Sequence, residues 1–397
     1  MTQTFVPERA APESVGFSRA GLGRLTAALN EQIAKKRLPG AVAMVLRHGK
    51  LAYLDALGLR DPAGADAMRP DAIFRIYSMT KPVVSVAAMM LFDEGRFSLS
   101  DPVAKYLPEF KETPVGVVHE DGQIEHVPAV RAMTVQDLLR HTAGLTYEIL
   151  GEAPIRKLYV RAKIYRRDWT NEEFSKALAA LPLMYQPASV WDYSRATDVL
   201  ARLVEVVAGQ SLRDFLQQRI FDPLGMVDTG FHAPLSKHHR LAEPFAKDPD
   251  TGADVTVLDV REPVAMDMGG GGLVSTAADY ARFCQLMLHG GVLDGQRLLS
   301  RKTVELMTSD HLGGIPSACD LLPPGHGFGL GFAVRLHAGL APVAGSAGMY
   351  FWHGMAGTTF FVDPREDMFA VMMVQAPQQG DEMRTLFRNL VYAAIGD

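Results

Sequence analysis

The chain has 397 residues, 48% of them hydrophobic and 21% charged, with a formal net charge of −5. This is an ordinary globular composition, sufficient for one large domain or two that share a core. The charge leaves no nucleic-acid footprint, and no run of roughly 18 apolar residues is present to span a membrane. The two cysteines, Cys284 and Cys319, form neither a disulfide framework nor a metal cluster. The start of the chain lacks the basic-then-apolar pattern of a secretory signal, so a cytoplasmic location is expected.

In chain order, residues 41–57 read as two strands joined at His48-Gly49. The next feature is Ser78-Met79-Thr80-Lys81, which runs into an apolar, buried helix over 82–94. From about 95 to 300 the periodicity is mostly helical, over 135–139, 171–181, 197–208, 211–220 and 277–289. Thr134 and Thr170 are placed as N-caps, and Thr276 with Asp279 forms a capping-box pattern. The basic stretch 156–167, with Arg156, Lys157, Arg161, Lys163, Arg166 and Arg167, reads as the solvated face of a surface helix. A rim that attracts acidic substrates is the second reading. Strands return over 329–336, 349–353, 358–363 and 368–375, followed by a helix over 381–394. Strands at both ends around a helical middle predict an α+β fold with one sheet built from both chain ends and the helical insertion as a second lobe. The expected division is 1–93 with 300–397 as an α/β lobe, and 94–299 as a mostly helical lobe. The weakly patterned segments 232–268 and 309–327 are expected to wall an active site.

Helical spacing puts Ser78 and Lys81 on one face. Serine is a poor nucleophile until a base takes its proton, and a lysine whose charge is disfavoured by burial can be that base. Pro82 is tolerated only near a helix start, which sets Ser78 at the helix end, where free N–H groups favour negative charge. Tyr193 precedes the helix over 197–208; it can donate and accept protons if its pKa falls, as it would beside a lysine. The segment from Tyr350 to Thr358 is an aromatic strand ending in a glycine-bounded turn. A free N–H there, paired with that of the nucleophile, makes an oxyanion hole. The glycine run 269–272 lacks a phosphate-loop context, and no H-E-x-x-H, C-x-x-C or G-x-S-x-G is present. His238-His239 is not read as a metal site, and His141 is read as holding a helix end.

Ser78-x-x-Lys81, Tyr193-Ser194 and Trp352-His353-Gly354 follow the motif order of the serine β-lactamase and penicillin-binding-protein superfamily. Leu138 to Leu145, Phe221 to Met226 and Gly270 to Ala277 resemble its class C branch. From about residue 15 to 395 the chain most resembles the family VIII carboxylesterases. The resemblance implies a serine β-lactamase-like fold, an α/β lobe with an antiparallel sheet and a helical lobe, with the site between them. It implies Ser78 as nucleophile, Lys81 and Tyr193 as the proton-transfer pair, and backbone N–H groups of Ser78 and Met355 as the oxyanion hole. Tyr147 matches a tyrosine that lines the site in some of these esterases. Two departures matter. Arg195 stands at the third position of Tyr-x-Asn, and Trp352 stands where Lys-Thr-Gly has its lysine. A tryptophan cannot hold a substrate carboxylate, so a pocket of Trp352, His353 and Gly354 is expected to favour uncharged, apolar groups. The implied activity is hydrolysis of short-chain esters without metal or cofactor, on a small-molecule substrate. β-Lactam, D-Ala-D-Ala or amide hydrolysis and acyl transfer share the machinery, and a non-catalytic sensor is a different class of answer.

Overall fold

The computed structural model describes residues 8–396. Its largest sheet is antiparallel with eight strands. Three come from the start of the chain: β1 (Gly40–Arg47), β2 (Lys50–Asp61) and β3 (Asp66–Ala67). Five come from the end: β4 (His326–Phe328), β5 (Ala333–Arg335), β6 (Tyr350–His353), β7 (Thr359–Asp363) and β8 (Met368–Val374). The spatial order is β4-β5-β6-β7-β8-β1-β2-β3, so the chain ends meet at the central β8–β1 pair. There Ala41 lies opposite Val374 and Arg47 opposite Met368. Both strands are buried along their whole length, which is why they read as continuous apolar runs. His48 at φ 52° and Gly49 at φ 71° turn β1 into β2 with the left-handed residues a two-residue hairpin requires.

Of the single strand expected over 329–336 only β5 (333–335) forms, and β4 (326–328) precedes it. A Cβ on Gly329 would lie 2.1 Å from the Met307 carbonyl oxygen, and Gly331 has φ 97°. Extended pairing therefore breaks at this corner.

Helix α1 (Arg19–Ala34) buries Leu22, Leu25 and Leu29; Gly21 and Gly23 dilute its periodicity, and the sequence reading leaves it unassigned. Helix α2 (Thr80–Asp93) is buried from Thr80 to Leu91. The helical middle contains α3 (Val135–Leu139), α4 (Pro154–Ala162), α5 (Asn171–Ala179) and α6 (Ala196–Ala208), with α6 packed on α2. Thr134 with Asp137 and Thr170 with Glu173 close full capping boxes on α3 and α5. At α7 (Ala277–Leu288) the expected box is half formed. Thr276 accepts from the Asp279 amide at 3.1 Å, but the Asp279 carboxylate accepts from the Asp228 amide at 2.7 Å instead. Over 211–220 the expected helix is an α turn, Leu212–Leu216, that widens into a π turn, Gln217–Phe221.

The last helix, α8 (Gly380–Tyr392), and α7 cover opposite faces of the sheet. Tyr280 of α7 meets Phe360, with ring centroids 5.0 Å apart, while Tyr392 of α8 stacks on the adjacent Phe361 at 5.4 Å. Consecutive residues of a strand point to opposite faces. Helix α7 falls within the segment assigned to a separate helical lobe, yet it packs on β1, β7 and β8. The sheet-bearing part thus reaches back at least to Ala277. Among the described residues no helix is long and apolar enough to cross a membrane.

Candidate active site

Ser78 sits in a tight turn, Tyr77–Met79, that feeds α2. Tyr77 carries a positive φ of 44° although it is not glycine, a conformation that persists only when surroundings hold it. Its ring is buried, and its hydroxyl accepts from the Leu258 amide at 3.0 Å. Ser78 is left half-buried at the edge of a cavity.

Lys81, 1% exposed, lies one helical turn on. Its Nζ is 3.3 Å from Ser78 Oγ, 3.0 Å from Tyr147 Oη and 2.5 Å from the Gly270 carbonyl oxygen. Burial lowers its pKa to about 7; Asp198 opposes that shift and Arg195 adds to it. Near neutral pH the amine therefore exchanges between ammonium and a free base facing the Ser78 hydroxyl.

Tyr193 is buried, and its hydroxyl accepts from the Trp352 indole N–H at 3.0 Å. Burial raises its pKa, and hydrogen bonds to Ser78 and Trp352 offset only part of that rise. The expectation of a lowered pKa is thus corrected. Lys81 approaches the face of the ring, 4.5 Å from its centroid, and desolvation outweighs any benefit the phenolate would draw from it.

Two side chains fix the Tyr193 turn. His141 Nδ1 accepts from the Ser194 amide at 3.3 Å, and its ring packs on Tyr193 with centroids 4.8 Å apart. Burial holds this imidazole neutral, so His141 supports the tyrosine as well as the end of α3. Arg156 turns inward, with Nη2 3.1 Å from both oxygens of Asp192. The solvated-face reading of the basic stretch holds for the exposed Lys157, Arg161, Lys163 and Arg166 and fails for Arg156.

The turn after β6 brings Met355 to the cavity beside Ser78. Within it, Gly354 N–H donates to the Thr358 oxygen at 2.8 Å and Gly357 N–H to the Gly354 oxygen at 3.0 Å. That pattern leaves the Met355 amide outside the turn's own bonding. A Cβ on Gly354 would lie 2.4 Å from the Ile76 carbonyl oxygen, so glycine permits the approach to the Ser78 turn. Arg384 of α8 donates to the Gly354 oxygen at 2.7 Å.

The cavity measures about 710 Å³. Ser78, Tyr147, Tyr193, His353 and Met355 line it, with Thr256, Val257, Leu258 and Met268 from the 232–268 segment and Leu321 from the 309–327 segment. Ile149 and Met355, 67% and 49% exposed, form an apolar rim. Trp352 and Gly354 are not among the lining residues, which corrects the expected pocket of Trp352, His353 and Gly354. Trp352 stands behind Tyr193, 1% exposed. Sequence reading missed Glu148, Asp198 and Arg384; only the run of glycines around Gly270 signalled a crowded spot. Among the described residues no acidic, histidine or cysteine cluster could hold a metal, and Cys284 and Cys319 are unpaired.

A family model described as Beta-lactamase matches residues 25–394. The chain is 35% identical over 348 residues to Protein Rv1367c of Mycobacterium tuberculosis, covering 85% of this chain and 86% of that one. It is 30% identical over 403 residues to Esterase EstB of Burkholderia gladioli, covering 96% and 98%. The solved structure of EstCE1, a hydrolase with promiscuous acyltransferase activity, superposes with a TM-score of 0.79 at 27% identity, covering 94% and 99%.

Proposed function

The chain belongs to the beta-lactamase family, in its family VIII esterase branch, and is a serine ester hydrolase; from that premise we propose how it acts and on what. Lys81, as the free amine, takes the Ser78 proton while Oγ attacks the ester carbonyl carbon. The oxyanion is met by the N–H groups of Ser78 and Met355. The C–O bond to the alcohol breaks, and Tyr193 gives the leaving oxygen its proton; the proton held by Lys81 then restores Tyr193. Water deacylates Ser78 by the same groups in reverse. The observation that carries this reading is a fully buried lysine amine 3.3 Å from the serine hydroxyl, with a pKa of about 7. The raised pKa of Tyr193 supports its role as donor rather than base.

We propose uncharged esters with short acyl chains as substrates, on the strength of the apolar wall formed by Ile149, Leu150, Val257, Leu258 and Met355. The cavity has room for an alcohol group considerably larger than a butyryl chain. A second reading, acyl transfer to an alcohol, is favoured by the open apolar rim and by the acyltransferase side activity of the structurally similar EstCE1. β-Lactam hydrolysis is the weaker alternative, because Trp352 occupies the place of the carboxylate-binding lysine. The test is ester turnover by Ser78→Ala and Lys81→Ala. Loss by at least about a thousandfold in both, with the fold kept, is expected; near-normal turnover by either removes that residue from the mechanism.

A further inference from the structure

We infer that Asp198 and Arg195, two opposite charges at the start of α6, are paired positioning residues that hold the Lys81 amine in place and balance its charge. The inference rests on Lys81 being the base proposed above. Each of the two contacts one of the anchors of Lys81. The Gly270 amide donates to Asp198 Oδ1 at 2.7 Å, and the carbonyl of Gly270 accepts from Lys81 Nζ at 2.5 Å. The two bonds lie on either side of the Gly270 Cα, so the Asp198 carboxylate fixes the position of the residue whose carbonyl holds the lysine. The Arg195 guanidinium lies 4.7 Å from the centroid of Tyr147, whose hydroxyl is the second anchor at 3.0 Å. Arg195 Nη1 is 3.3 Å from Asp198 Oδ2, and Glu148 accepts from Nε of Arg195 at 3.2 Å. Both side chains are buried.

This arrangement gives the glycine run a role. None of the glycines in 269–272 has a positive φ, so conformation does not require them. Space does: a Cβ on Gly270 would lie 2.7 Å from Asp198 Oδ2 and 2.8 Å from Tyr147 Oη.

The groups facing the amine are Ser78 from the nucleophile turn, His141 and Tyr147 from the segment after α3, Tyr193 before α6, Arg195 at the cap of α6, Asp198 in its first turn, and His353 on β6. Glu148 lies behind Arg195, and Arg384 acts on His353. Burial keeps both histidines neutral and both tyrosines protonated. Asp198 and Arg195 are therefore the charges that bias Lys81 near neutrality, in opposite senses.

The test is the acid limb of kcat/KM against pH, which reports the free enzyme. Asp198→Asn keeps an acceptor for Gly270 N–H and removes the charge that favours the ammonium, so the limb moves about one unit down. Arg195→Gln moves it about one unit up, and the double variant returns it toward wild type. Two shifts in the same direction, or none beyond roughly 0.2 unit, would overturn the inference. If Arg195→Gln does not fold, Asp198→Asn alone decides, because a purely structural role would lower kcat and leave the limb in place. A wild-type profile with no limb near neutrality defeats the Lys81 base itself; a limb that is present but unmoved defeats only this inference.

Discussion

Lys81 is a cation surrounded by protein, and the cost of desolvating its charge sets how it works. Its ammonium is disfavoured by burial, so its pKa drops from 10.5 to about 7. As the proposed base Lys81 acts as the free amine, so kcat/KM should fall as pH drops below about 7 and level off above it; activity constant down to pH 5 would contradict a Lys81 base. Trp352→Phe removes the N–H that Tyr193 Oη accepts, together with part of a buried ring that packs on Tyr193, Phe328 and His353. It should lower kcat about fivefold with KM little changed, since one neutral hydrogen bond is worth roughly 1 kcal/mol. A changed KM with an intact kcat would instead make Trp352 a substrate contact. Ser78 and Lys81 were legible in the sequence because a helix fixes the distance between i and i+3. Asp198, Arg384 and the true position of Trp352 were not, because each acquires its role from a contact such as Asp198 with Gly270 or Trp352 with Tyr193, formed by residues far apart in the chain.

At the scale of elements, three pieces meet at Ser78: the strained turn at Tyr77, the turn after β6, and the start of α6. Gly354 sets how closely the first two approach, since its missing Cβ would lie 2.4 Å from the Ile76 oxygen. Gly354→Ala should push the Met355 amide away from the oxyanion and lower kcat by about a hundredfold, the scale of losing one oxyanion donor. A thermal midpoint close to wild type would assign that loss to the site, and unchanged kcat would remove the turn from the oxyanion hole. Local signals predicted the elements well where the partners are local, as at Thr134 with Asp137 and Thr170 with Glu173. They failed where a distant group competes. The Asp279 carboxylate leaves its own cap for the Asp228 amide, and Arg156 leaves the solvated face of α4 for Asp192.

For the molecule as a whole, one sheet built from both chain ends was readable from the order of apolar runs, because β1 and β8 are buried on both faces; its antiparallel sense followed from the family resemblance. The shape of the cavity was not readable, since nine separate segments build it, from Tyr77 to Arg384. At about 710 Å³ with an apolar rim, it predicts that KM falls along a series of p-nitrophenyl esters from acetate to hexanoate. A sharp cut-off at acetate would mean a narrower acyl site than this cavity offers. The central claim, that Ser78 carries the acyl group of an ester, is tested most directly by p-nitrophenyl butyrate hydrolysis with matched wild type and Ser78→Ala. The account predicts an initial burst of p-nitrophenol and steady turnover by the wild type, with both lost in the variant. Equal turnover by the two proteins would contradict it.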